Sequence, residues 1–196
     1  MRRQGFYLIA VGTQALASAA LLPVLTHNVS RSMYGLIALV AVYQQLTTVV
    51  LGLGLPSLVL SWEAGGRRAD LQRGAAVPIL AVGAIGTIAA AAAGAATYAF
   101  VAALGTLNAL LGLVLSRAAA RGHAGVWALL TIAAGPAATF VAAAAVLLTE
   151  SFTAYLIAWF LHLLVVTLVF LRWANREWFS RVRLRKERER LVLSLP

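Results

Sequence analysis

Charge-free apolar stretches recur along the chain from Phe6 to Leu25, Gly35 to Ser61, Ala75 to Ser116, Val126 to Leu148 and Phe152 to Leu171. Runs of this length with no charge are long enough to cross a bilayer as helices. The third is too long for a single crossing. About 42 residues at a rise of about 1.5 Å give about 63 Å, twice a hydrocarbon core of about 30 Å. It must reverse, and Gly94 to Tyr98, which holds Gly, Thr and an interfacial Tyr, is the best place. The pattern therefore predicts six spans: 6–25, 35–61, 75–93, 99–116, 126–148 and 152–171.

The distribution of cations tests that count. Arg2 and Arg3 precede the first span, Arg67, Arg68 and Arg73 follow the second, and Arg117 and Arg121 follow the fourth. Eight more, from Arg172 to Arg190, follow the sixth, which leaves only Arg31 on the other side. Fifteen of the 16 cations thus fall on one face, a clean alternation that five or seven spans would break. The positive-inside rule makes that face cytoplasmic, with both ends of the chain on it. Composition adds the class: 62% hydrophobic against 11% charged residues, and mean hydropathy of +0.88, exceed what a water-soluble core can bury. A net charge of +10 would suggest nucleic acid in a soluble domain, but here the cations mark topology. No nucleic-acid partner is expected, and the bilayer is the first partner. Arg2 and Arg3 before an apolar run also fit a cleavable signal peptide, although the run is long for one and reads better as a signal anchor.

No Asp, Glu, Lys or Arg falls in the middle of a span, so no ion or proton relay is written there. Ser18, Ser61 and Ser116 have no spaced His partner, and Cys is absent, so neither catalysis nor a metal or other cofactor is expected. The polar residues inside spans are Gln14, Gln44, Gln45, Asn108 and His162. Gln44, Thr48, Gly52 and Pro56 follow at i+4, which gives the second span one polar, small-residue face. Gly105, Asn108 and Gly112 repeat the theme in the fourth span, and Tyr155, Trp159 and His162 share one side of the sixth. Two readings stand side by side: Gln14, Gln44, Gln45, Thr48, Asn108 and His162 line a cavity, or they hydrogen-bond between helices. Pro56, Gly135 and Pro136 are hinge candidates, because a ring without an N–H breaks the helix, though membrane helices also simply tolerate proline. Gly83, Thr87, Ala91 and Ala95 form a small-residue stripe suited to close helix packing.

Residues 173–190 form a basic segment with Trp173, Trp178 and Phe179 interleaved. Arg181, Arg183, Arg185 and Lys186 suit it to anionic lipid headgroups. From Leu191 to Pro196 the chain becomes apolar again, as a seventh helix would begin.

With these features the sequence resembles the polysaccharide-biosynthesis flippases, relatives of the multidrug and toxin extrusion transporters. Ser30-Arg31 and Tyr34-Gly35 after the first span are like the family's arginine, spacer and Tyr-Gly pattern. Gly52-Leu53-Gly54-Leu55-Pro56 is similar to its Leu-Gly-Leu-Gly signature, Arg117 to Gly125 to its Arg-Gly linker, and Arg190 to Pro196 to the opening of its seventh helix. The resemblance implies the N-terminal six-helix lobe of a protein that flips undecaprenyl-linked oligosaccharide across the bacterial inner membrane by alternating access. It implies a second six-helix lobe as partner. A multidrug or cation antiporter of the same superfamily, and a non-transporting scaffold of a polysaccharide assembly complex, are the alternatives.

Overall fold

The computed structural model describes residues 2–64 and 70–193, with side chains over 4–61 and 74–173. Among the described residues there is no strand. The helices are α1 (Arg2–Asn28), α2 (Arg31–Gly52), α3 (Leu55–Ala64), α4 (Asp70–Ala92), α5 (Ala96–Ala120), α6 (Ala124–Ile132), α7 (Ala138–Thr149) and α8 (Phe152–Leu193), and a π-helical segment, Ala133–Ala137, joins α6 to α7. Six helical stretches are long and apolar enough to cross a membrane: Gln4–Asn28, Arg31–Gly52, Gly74–Ala92, Ala96–Ala120, Ala124–Thr149 and Phe152–Trp173. Large apolar side chains cover the outside of the bundle, among them Leu8, Leu16, Val42, Ile85, Ile88 and Leu168. A surface so continuously apolar requires lipid as solvent. The protein is an all-α, six-span, multi-pass membrane protein.

The helices overrun the apolar runs because hydropathy marks where polar residues begin, not where hydrogen bonding ends. At the end of α1, Thr26 Oγ1 donates to the Leu22 carbonyl at 2.9 Å and Asn28 Nδ2 to the Val24 carbonyl at 2.8 Å. Polar side chains that bond back onto their own helix carry it to the membrane surface. Arg117, expected in a loop, instead lies in the last turn of α5, 5% exposed. The reversal after α4 is tighter than the stretch from Gly94 to Tyr98. Gly94 at φ 71° places its N–H on the Ala91 carbonyl (3.0 Å), and Ala95 N–H reaches the Ala90 carbonyl (2.9 Å). This pair of bonds closes a helix and needs only one left-handed residue, so Thr97 and Tyr98 are already in α5. Gly122 ends α5 with the same pair, to Ala119 and, through His123, to Ala118.

The second apolar stretch, read as one span over 35–61, is two helices. Leu53 at φ 41° and Gly54 at φ 75° break it. Leu53 N–H closes α2 on the Val49 carbonyl, and Leu58 N–H opens α3 on the Gly54 carbonyl. Pro56 falls in the first turn of α3, where a missing N–H costs nothing.

The core is arranged around α5, whose span is 56% buried, against 17% for the α4 span. One side of α5 presents Val101, Leu104, Leu107, Leu111 and Val114 to residues of α1, α2, α7 and α8; the other presents Ala109, Leu110 and Leu113 to α3 and α4. Two glycines set its distance from its neighbours. A Cβ on Gly83 would meet Thr106, and one on Gly105 would lie 2.6 Å from Thr47 Cγ2. Close backbone approach of this kind is what drives helix association where lipid removes the hydrophobic incentive. The backbone of α8 continues as helix through the basic segment to Leu193. The side chains of Arg181, Arg183, Arg185 and Lys186, and residues 194–196, lie outside the described residues.

Candidate functional site

The α1–α2 and α5–α6 connections fix the depth of the polar residues. Gln14 is 14 residues before the end of α1 and Gln44 is 13 after the start of α2, so both lie about 20 Å from the connection that joins them. Asn108 and Gly135 are likewise about 16–18 Å from the α5–α6 turn. Helices of 22 to 26 residues put all four near the middle of the bilayer. The amides of three spans and the π segment therefore share one level.

They also share one cavity, of about 710 Å³. Gln14 and Ser18 of α1, Gln44, Gln45 and Thr48 of α2, Asn108 and Gly112 of α5, Gly135, Pro136 and Thr139 at the π segment, and Tyr155 and Trp159 of α8 line it. α1 packs along α6 and α7, α2 packs along α5, and α1 and α2 touch each other little. The cavity thus lies between α1 and α2 and is floored by α5, the π segment and α8. None of its lining residues carries a charge.

Several of the polar groups are already bonded. Gln44 Nε2 donates to Thr48 Oγ1 at 3.3 Å, and Thr48 Oγ1 donates to the Gln44 carbonyl at 2.8 Å. Asn108 Nδ2 donates to the Leu104 carbonyl at 3.1 Å, and Thr139 Oγ1 to the Gly135 carbonyl at 3.0 Å. Gln44 is buried, whereas Gln14 and Gln45 are exposed toward the cavity, and their side-chain amides have no hydrogen-bond partner among the described residues. An amide facing hydrocarbon without a partner costs several kcal/mol, about 4–8 by alkane transfer. Two such groups on facing walls mark a surface turned to water, ligand or protein rather than to acyl chains.

His162 does not line the cavity. Its Nε2 lies 2.9 Å from the carbonyl oxygen of Ala133, the first residue of the π segment. A carbonyl only accepts, so Nε2 carries the proton. The histidine is a bridge from α8 to the segment that Pro136 disturbs. In a π segment each carbonyl is served from five residues on instead of four, so the N–H after a proline can reach the carbonyl the proline leaves. Gln14 lies against this segment from the other side, its Cδ 3.9 Å from where a Cβ on Gly135 would be. Pro56 stands apart from the lining, its Cγ 3.5 Å from where a Cβ on Gly112 would be.

Ser18, Gly112 and Thr139 also line the cavity. Hairpin register would have found them, since each lies one turn from a residue at the shared level. Among the described residues no group of three or more His, Cys, Asp or Glu could hold a metal ion. What the walls can do chemically is donate and accept hydrogen bonds without net charge.

No protein-family model, curated protein or solved structure matches this chain. Fold and cavity define the class: a polytopic helical membrane protein with an uncharged polar site at mid-membrane depth.

Proposed function

We propose that the chain is one lobe of a transporter that carries lipid-linked oligosaccharide across the bacterial inner membrane by alternating access. A second six-helix lobe completes it by facing α1 and α2, and both ends of this chain are cytoplasmic. The observation that carries the reading is the pair of unbonded glutamines, Gln14 and Gln45, on opposite walls of a mid-membrane cavity. A site that must be reached from both sides belongs at that depth, and broken helices beside such sites are common in transporters. The π segment with Gly135 and Pro136 is such a break and borders the cavity directly. Oligosaccharide as cargo follows from the resemblance of the loop sequences, and amides and hydroxyls suit it. A charge-free lining speaks against cation coupling within this lobe.

The test is genetic. Deleting the gene should leave lipid-linked oligosaccharide on the cytoplasmic leaflet and remove surface polysaccharide. The wild-type gene should restore it, and a Gln44→Leu/Gln45→Leu variant should not. Intact surface polysaccharide in the deletion strain would refute the reading.

A further inference from the structure

The lining of the cavity is divided along the membrane normal. Toward the α1–α2 connection the two walls are mainly apolar, Leu21, Leu22 and Leu25 facing Ile37, Ala38 and Ala41, with the rings of Tyr34, Tyr155 and Trp159 beside them. Deeper, from about 15 to about 26 Å below that connection, they become Ser18 and Gln14 facing Gln44, Gln45 and Thr48. The change falls within about one turn of the same depth on the two helices, so these walls give the cavity a mainly apolar half and a mainly hydrogen-bonding half. The apolar half opens between two helices that touch little. The polar half ends against Asn108 and the π segment.

We infer that the cavity binds an amphipathic lipid with an uncharged, hydroxyl-bearing headgroup, its head among Gln14, Gln44, Gln45 and Asn108 and its chain between Leu21, Leu25, Ile37 and Ala41. This rests on the reading of the cavity as the cargo site and narrows the chemistry of what enters it. Three features carry it. The length of the apolar half, from Leu25 to Ser18 where the polar half begins, about 10 Å, accommodates a stretch of aliphatic chain but no headgroup. The amides of Gln14 and Gln45 each offer two donors and an acceptor, which hydroxyls satisfy in both senses. None of these lining residues is a cation, so this lobe offers a phosphate no counter-charge against the desolvation cost of an anion at this depth. Any phosphate on the same molecule must therefore sit outside this lobe's cavity.

The experiment is native mass spectrometry of the full chain released from detergent micelles doped with monoglucosyl diacylglycerol, diacylglycerol or phosphatidylglycerol of identical acyl chains. The expected result is retention of an uncharged lipid at least about tenfold over phosphatidylglycerol, the value of one to two hydrogen bonds, and its loss in Gln44→Leu/Gln45→Leu. A preference for the glucosyl lipid over diacylglycerol makes the sugar the recognised head; equal retention of the two makes it a glycerol hydroxyl. Ala41→Trp, which fills the apolar half, should lower retention of every chain-bearing lipid and serves if the double variant does not fold. Equal retention of all three lipids, preference for phosphatidylglycerol, or retention unchanged by these substitutions overturns the proposal. A deletion strain lacking surface polysaccharide would then still support transport, whereas selective lipid retention with intact polysaccharide would leave the ligand and remove the transport reading.

Discussion

The contact between α2 and α5 is set by Gly105, and the substitution Gly105→Ala tests how rigidly. The added Cβ would lie 2.6 Å from Thr47 Cγ2, 2.7 Å from Thr47 Cβ and 3.4 Å from the Thr47 carbonyl carbon. Carbon atoms rest at about 3.5–4.0 Å, so the helices must part by about 1 Å at this point. Rotating Thr47 moves Cγ2 away but leaves Cβ and the backbone where they are. The expected loss is about 1–3 kcal/mol, the usual cost of overpacking. Thr47→Ala should relieve little of it, because the 2.7 Å contact remains, whereas Thr47→Gly should relieve most. A double-mutant cycle separates this from the helix propensity cost of the new glycine, about 1 kcal/mol. The measurement is unfolding of the full chain in mixed micelles by sodium dodecyl sulfate, followed by circular dichroism. Gly105→Ala as stable as wild type, or a coupling with Thr47→Gly below about 0.5 kcal/mol, refutes the packing argument.

Other substitutions probe the backbone and the bridge. His162→Leu should lower stability by about 1 kcal/mol through loss of the bond to the Ala133 carbonyl while leaving lipid retention in the cavity unchanged; the reverse outcome would return His162 to the cavity wall. Gly54→Ala should cost about 1–2 kcal/mol at φ 75°, while Leu53→Gly, at φ 41° with an exposed side chain, should be neutral or stabilising by up to about 1 kcal/mol. Equal stability of those two variants in the same micelle titration would argue against the α2–α3 break. Pro136→Ala returns an N–H to the π segment, and slower amide exchange over 132–138 is the expected sign; unchanged exchange would mean the proline does not hold the segment open.

The number of spans was legible in the sequence because transfer energy and charge placement both act over whole helices. Features decided by one or two backbone angles were not. The break at Leu53 and Gly54 lies inside an unbroken apolar run, and hydropathy is blind to a left-handed residue. Gly135-Pro136 announced a disturbance in the fifth span, but whether the helix would kink or widen depends on which carbonyls find donors, and one of those contacts comes from His162 in another helix. The i+4 series from Gln44 brings Gln44 and Thr48 to the cavity wall, yet the same spacing placed Pro56 with them, whereas the break after Gly52 moves Pro56 onto Gly112. Grouping His162 with Tyr155 and Trp159 failed for a related reason. All three share one side of α8, but the cavity borders only the first two and the π segment covers the third.

The central claim is that the Gln14–Gln45 face is turned to an aqueous or ligand-filled cavity and not to lipid. The chain contains no cysteine, so single cysteines can be introduced without background. With cysteine at 14, 45 or 108 in intact membranes, a water-soluble, membrane-impermeant thiol reagent should label each, from at least one side. Cysteine at Leu16 or Ile88, 73% and 68% exposed on the outer surface of the bundle, should remain unlabelled. Protection of all three cavity positions to the level of Leu16 and Ile88, from both sides of the membrane, would contradict the account.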